Sequence, residues 1–145
     1  MLGKLARWLR ILGYDTAYDN VAEDDALLER ALSERRVLLT RDRPLYRRAE
    51  GIKCVHVDAI DLDSQIAQLV RDVDVSLDRP TFTRCLECNT VIEQITPESV
   101  REIVPPHVMA SQTEFFRCTA CNRVYWPGSH TGRMLERLNR IRARV

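Results

Sequence analysis

Apolar residues return every three or four positions at the start of the chain. Leu2, Leu5, Leu9 and Leu12 form one helical stripe, with Gly13 placed to stop it. Tyr14–Tyr18 reads as a short strand. A second helix is expected to begin near Asp24 or Asp25, with Leu27, Leu28, Ala31 and Leu32 as its apolar side. The unbroken run Val37-Leu38-Leu39-Thr40 predicts a strand covered on both faces. Pro44 turns the chain, a short helix extends to Ala49, and Cys54-Val55-His56-Val57 predicts another buried strand that includes the Cys54 thiol. Ile66, Leu69, Val70 and Val73 mark a further helix capped by Asp61 or Asp63. This alternation predicts an α/β fold, a parallel sheet with helices on both faces.

Residues 76–83 contain Pro80 and show little periodicity, so they read as a linker between a domain over 1–75 and a different module over 84–130. In that module Thr96-Pro97-Glu98 starts a helix, and 113–117 and 123–126 read as strands. Tyr125 and Trp126 read as core of this module. Residues 131–145 return to helix, with Met134, Leu135, Leu138 and Ile141 on one side and five arginines against the single Glu136.

Four cysteines change the picture most. Cys85 and Cys88 form one C-x-x-C, Cys118 and Cys121 a second, and 29 residues separate the pairs. Two knuckles of this spacing bring four thiolates to one tetrahedral Zn²⁺, a zinc ribbon. A four-thiolate site is structural, so any catalysis has to come from elsewhere. Disulfides or a redox C-x-x-C fit less well, since no secretory leader pattern heads the sequence and neither pair follows a thioredoxin-like strand.

Net charge is +1, so bulk charge names no partner. Twenty of the 22 basic residues are arginine, the better donor to phosphate, although base-rich coding sequence also favours arginine. No apolar run is long enough for a membrane span, and a cytoplasmic, soluble protein without a nucleotide cofactor is the expectation.

In open α/β sheets ligands bind beyond the carboxyl ends of the strands. Asp42 stands two residues past Thr40, and Asp24 and Asp25 open a helix. Gathered at one sheet edge, such carboxylates can hold Mg²⁺ or Mn²⁺. On composition and spacing alone, helix capping and an ordinary turn explain the same residues.

The run Leu2-Gly3-Lys4-Leu5-Ala6-Arg7-Trp8-Leu9-Arg10 with Leu12-Gly13-Tyr14-Asp15-Thr16 resembles the opening signature of the Mut-seven C-terminal ribonuclease family. Leu38-Leu39-Thr40-Arg41-Asp42-Arg43 resembles its second signature. Arg84-Cys85-x-x-Cys88-Asn89 and Tyr125-Trp126-x-Gly128-Ser129-His130 resemble its ribbon and the segment after it. The resemblance implies a PIN-like nuclease domain joined to a zinc ribbon, with metal-dependent cleavage of RNA. Asp42 takes the place of the acid after the T-R-D strand, Asp25 that of the acid opening the preceding helix, and Asp24 is the close second. Lys4, Arg7, Arg10, Arg41 and Arg43 would surround the same sheet edge as the carboxylates and steer RNA phosphates toward the ion; the other reading of these residues is an ordinary solvated face. His130 would contact RNA or close the ribbon.

Family members place a strand ending in Asp ahead of the first helix, and Met1 stands there in this sequence. Two explanations compete: a start codon assigned too late, which is preferred, or a member that binds RNA without cutting. The alternative function is therefore a non-catalytic zinc-ribbon adaptor that binds RNA or ribosomes through its arginines. Oligomeric state is open.

Overall fold

The computed structural model describes residues 2–145; Met1, where the predicted first domain begins, lies outside the described residues. The chain divides into two units. One comprises residues up to Ala6, Ala17–Leu77 and Ile141–Val145; the other comprises Arg7–Thr16 and Asp78–Arg140.

Helix α1 spans Gly3–Ile11 and supplies residues to both units. The first unit then contains α2 (Asp24–Ser33), β1 (Leu38–Thr40), α3 (Arg43–Arg48), β2 (Cys54–His56) and α4 (Leu62–Val73). β1 and β2 pair in parallel, Leu38 opposite Cys54 and Thr40 opposite His56. A parallel pair needs a crossover, and α3 provides it. Ala31, Leu38, Leu45 and Ala49 form a buried cluster that Leu27, Leu28, Ile52 and Cys54 pack against. The Cys54 thiol is only partly buried, not fully as expected, and burial raises its pKa. Ile66 and Leu69 on α4 are fully buried. Asp61, the first of the two expected caps, accepts from the Ser64 amide at the start of α4.

The second unit is an antiparallel sheet of β3 (Ile92–Ile95), β4 (Phe115–Cys118) and β5 (Val124–Tyr125), in the order β3-β4-β5. A 3₁₀ turn (Pro97–Val100) and α5 (Pro106–Ser111) lie between β3 and β4. Val100, Val104, Val108 and Phe115 form its core, with Val124 and Trp126 against them. Trp126 thus belongs to the packing, its ring 6.3 Å from that of Phe115. Helix α6 covers Ser129–Arg142. The whole is a mixed α/β protein: a small parallel sheet, helices and a separate antiparallel sheet carrying a cysteine cluster.

Tyr14–Tyr18 forms no strand. Its β-leaning residues have no neighbouring strand to pair with, and side chains replace the ladder. The Thr16 amide donates to Asn89 Oδ1 at 2.9 Å, and Asn89 Nδ2 donates to Asp15. Gly13 stands just past α1 with φ of +81°, and a Cβ there would lie 2.8 Å from the Pro80 carbonyl oxygen. Only glycine fits that turn.

Candidate functional site

The two C-x-x-C pairs converge. Cys85 and Cys88 sit in the turn before β3; Cys118 ends β4 and Cys121 lies in the turn to β5. All four sulfurs lie within 4.8 Å of one another. The Cys85 and Cys121 sulfurs are 3.7 Å apart, the edge length of a tetrahedron with metal–sulfur bonds of about 2.3 Å and far beyond a disulfide bond. Four soft sulfur donors in a closed set fit a structural metal such as zinc.

The two knuckles are built alike. In each, the residue after the second cysteine is an asparagine in the left-handed region, Asn89 at φ 67° and Asn122 at φ 62°. Its amide donates to the carbonyl of the first cysteine at 2.9 Å in both. Asparagine tolerates this conformation better than other side chains with a Cβ. The repeated C-x-x-C-N was visible in the sequence as a sign of matched turns.

Tyr125 adds a partner no spacing rule gives. Its hydroxyl lies 3.0 Å from Cys85 Sγ and accepts from the Leu86 amide at 3.3 Å. Burial opposes ionisation of the Cys85 thiol. The Tyr125 hydroxyl and the Cys88 and Glu87 amides outweigh it, bringing Cys85 down to about 6. The Cys88 thiol is pushed up to about 12, first by its hydrogen bond with Cys121. The surroundings thus favour the ionised form at Cys85 and oppose it at Cys88.

Arg10 also belongs to this unit. It is 7% exposed, and its guanidinium donates to the carbonyls of Thr16, Leu86 and Glu87. The group expected to meet phosphate is spent on holding the first knuckle. Arg7 is exposed and pairs with Glu87 at 2.6 Å. His130 is exposed near the start of α6.

The acidic residues lie in the other unit. Asp24 and Asp25 occupy the first turn of α2, where the helix dipole favours them; the cap position itself is Glu23. Both carboxylates meet Arg48, Asp24 at 3.4 Å and Asp25 more closely. Asp42 follows β1 and caps α3, accepting from the Leu45 amide at 2.8 Å. Its own amide donates to the buried Thr40 hydroxyl at 3.0 Å, so the threonine of the T-R-D run sets the turn that presents the acid. Arg41 donates to the Ala59 carbonyl, and His56 lies between the Arg41 carbonyl (3.1 Å) and the Asp58 carboxylate (2.7 Å). These bonds tie together the loops that leave β1 and β2. Lys4 and Arg43 are exposed in this same unit.

Among the described residues, the cysteines are the only group of three or more Cys, His, Asp or Glu whose ligand atoms converge. The three aspartates form no closed cage. They are hard oxygen donors, and a hydrated Mg²⁺ needs only one or two protein carboxylates. The competing Arg48 pairs are solvent-exposed, and such pairs contribute only about 0–1 kcal/mol. The donor type therefore fits a hydrated divalent ion.

The model of the Mut7-C RNAse domain family matches residues 1–138. The chain belongs to the Mut7-C RNAse domain family. The match spans both the T-R-D turn and the cysteine cluster, and it points to a ribonuclease-like role with RNA as substrate. No curated protein and no solved structure matches the chain. No helix among the described residues is long and apolar enough to cross a membrane.

Proposed function

We propose that the chain is a divalent-metal-dependent endoribonuclease whose acidic site is stabilised separately from a zinc ribbon. The supporting observation is the place of Asp42 in a chain matched to an RNAse family over 138 residues. It stands at the carboxyl end of a parallel strand, on a turn fixed by Thr40 on one side and the α3 cap on the other.

Asp25 and Asp42 would hold Mg²⁺ or Mn²⁺, with Asp24 assisting. The ion, when bound, supplies an activated water and charge stabilisation for phosphodiester hydrolysis. The Leu45 amide engages one oxygen of Asp42 and leaves the other for a cation. Arg48 holds Asp24 and Asp25 while no ion competes. Lys4, Arg41 and Arg43 hold substrate phosphates on this unit, and Arg10 leaves that group because its donors are already taken. Zinc in the four-cysteine site holds the antiparallel sheet and its knuckles, and takes no part in the reaction.

The test is Mn²⁺ binding to the zinc-loaded chain, followed by electron paramagnetic resonance. One bound Mn²⁺ is expected, its affinity lowered at least tenfold in Asp42→Asn. Equal binding by both proteins overturns the reading. The adaptor reading draws on α6, where Arg133 and Arg140 are exposed. It requires that RNA binding fall in Arg133→Ala with Arg140→Ala while the unaltered chain cleaves nothing.

A further inference from the structure

A groove of about 700 Å³ runs through the first unit between α3 and α4, floored by β2. The wall from α3 carries Arg43, Tyr46 and Arg47; Lys53 stands where the chain enters β2; Asp58 and Asp72 line the remaining side. None of these positions but Arg43 was singled out by its sequence context.

Charge in this groove is not balanced internally. The side chains of Arg43, Arg47 and Lys53 make no hydrogen bond or ion pair among the described residues. The two acids are already engaged: Asp58 accepts from His56 at 2.7 Å and Asp72 from Gln68 at 3.1 Å. Three unpaired cations therefore face a concavity whose carboxylates are partly satisfied. Arg43 and Arg47 are four apart on one helix and so share a face. Tyr46, 45% exposed, leaves much of its ring open beside them. The His56 ring packs edge-on against it, the centroids 5.7 Å apart.

A row of cations with an accessible aromatic ring in an open channel fits a single nucleic-acid strand: phosphates meet the cations and a base stacks on the ring. The size is that of sites that enclose small organic ligands, so one or two nucleotides fill it. The carboxylates of Asp58 and Asp72 would repel phosphates but accept from ribose hydroxyls, a contact DNA lacks. Arg43 directly follows Asp42, so one end of the groove opens beside the proposed catalytic turn. We infer that this groove is the substrate-strand site: it binds single-stranded RNA through Arg43, Arg47 and Lys53, stacks a base on Tyr46, and leads the strand past Asp42. The inference rests on the ribonuclease reading, and it names where the substrate lies.

The experiment is fluorescence anisotropy of a labelled eight-nucleotide oligouridine on the full zinc-loaded chain, with no Mg²⁺ or Mn²⁺ added so that nothing is cut. Arg47→Gln with Lys53→Gln should weaken binding at least tenfold and reduce the slope of log affinity against log salt by about 1.4, the value for two lost phosphate contacts on a single strand. Tyr46→Ala should weaken binding about tenfold with an unchanged salt slope, and the corresponding oligodeoxyuridine should bind less tightly than the RNA. Circular dichroism checks that each variant keeps its fold. Unchanged affinity and slope in the folded double variant overturns the groove. So does an equal loss in a control, Arg133→Gln with Arg140→Gln, which would place the strand on α6. The two readings separate in a cleavage assay. Groove variants that cut RNA with unaltered KM refute the groove alone. A chain that binds RNA through the groove but never cuts it refutes the nuclease alone.

Discussion

Asp42 caps α3 and is also the proposed metal ligand, and a pair of substitutions separates the two roles. As an N-cap it accepts from the Leu45 amide, a contact whose loss costs about 1 kcal/mol. Asparagine caps equally well but carries no charge. Asp42→Asn is therefore expected to leave thermal stability nearly unchanged, whereas Asp42→Ala lowers it by about 1 kcal/mol in a denaturant titration. Tyr125 permits a similar separation at the proposed zinc site. Removing its hydroxyl in Tyr125→Phe keeps the ring and takes away one partner of Cys85, so zinc affinity measured against a competing chelator should fall about 10- to 100-fold. Identical affinity would show that this contact does not support the ligand.

Legibility at this scale followed the range of the interaction. Each C-x-x-C and the T-R-D turn are local, and both could be read directly. Arg10 could not, because its partners Leu86 and Glu87 lie 76 and 77 positions away. An arginine on a helix carries no mark saying whether its donors will meet phosphate or a distant backbone.

Among the elements, α4 shows what capping and burial each contribute. The Asp61 carboxyl is held below its usual range, first by the Ser64 side chain and then by the Ser64 amide. A carboxyl whose pKa falls on folding stabilises the fold above its unfolded pKa, and loses that contribution as pH falls through the folded value. Asp61→Asn should therefore reduce the melting temperature slightly near neutral pH, with the difference closing as the pH drops into the acid range. Leu69, with no exposed surface, is a sterner case: Leu69→Ala should cost about 2–5 kcal/mol at any pH where the protein folds.

Helices α1, α2, α4 and α6 and the two parallel strands were legible because each has an internal period or an uninterrupted β-leaning run; α5, six residues long, has neither and went unread. Tyr14–Tyr18 was misread for the opposite reason. A strand exists only if another strand pairs with it, and here Asn89 bonds to the backbone instead. The short strand lengths in both sheets follow from the same dependence on neighbours.

Across the whole molecule, the proposed acidic site and the four-cysteine cluster fall in different units. The cysteine cluster lies in the unit of the antiparallel sheet, and the aspartates and the cationic groove lie in the unit of the parallel one. Metal-ligand energy at a structural four-thiolate site is folding energy. Stripping zinc with a strong chelator should therefore abolish protection of β3, β4 and β5 amides in hydrogen exchange, and acid should do the same by protonating the thiolates. Amides of β1 and β2 are expected to keep their protection; their loss in parallel would mean that the two units fold as one.

The acidic residues carry the proposed reaction, and RNA cleavage reports on them without intermediaries. Zinc-loaded chain and its Asp42→Asn variant, given the same single-stranded RNA and Mn²⁺, should differ by at least about 100-fold in rate, the loss expected when a group worth several kcal/mol of charge stabilisation is removed. Cleavage at equal rates by the two proteins would contradict the assignment.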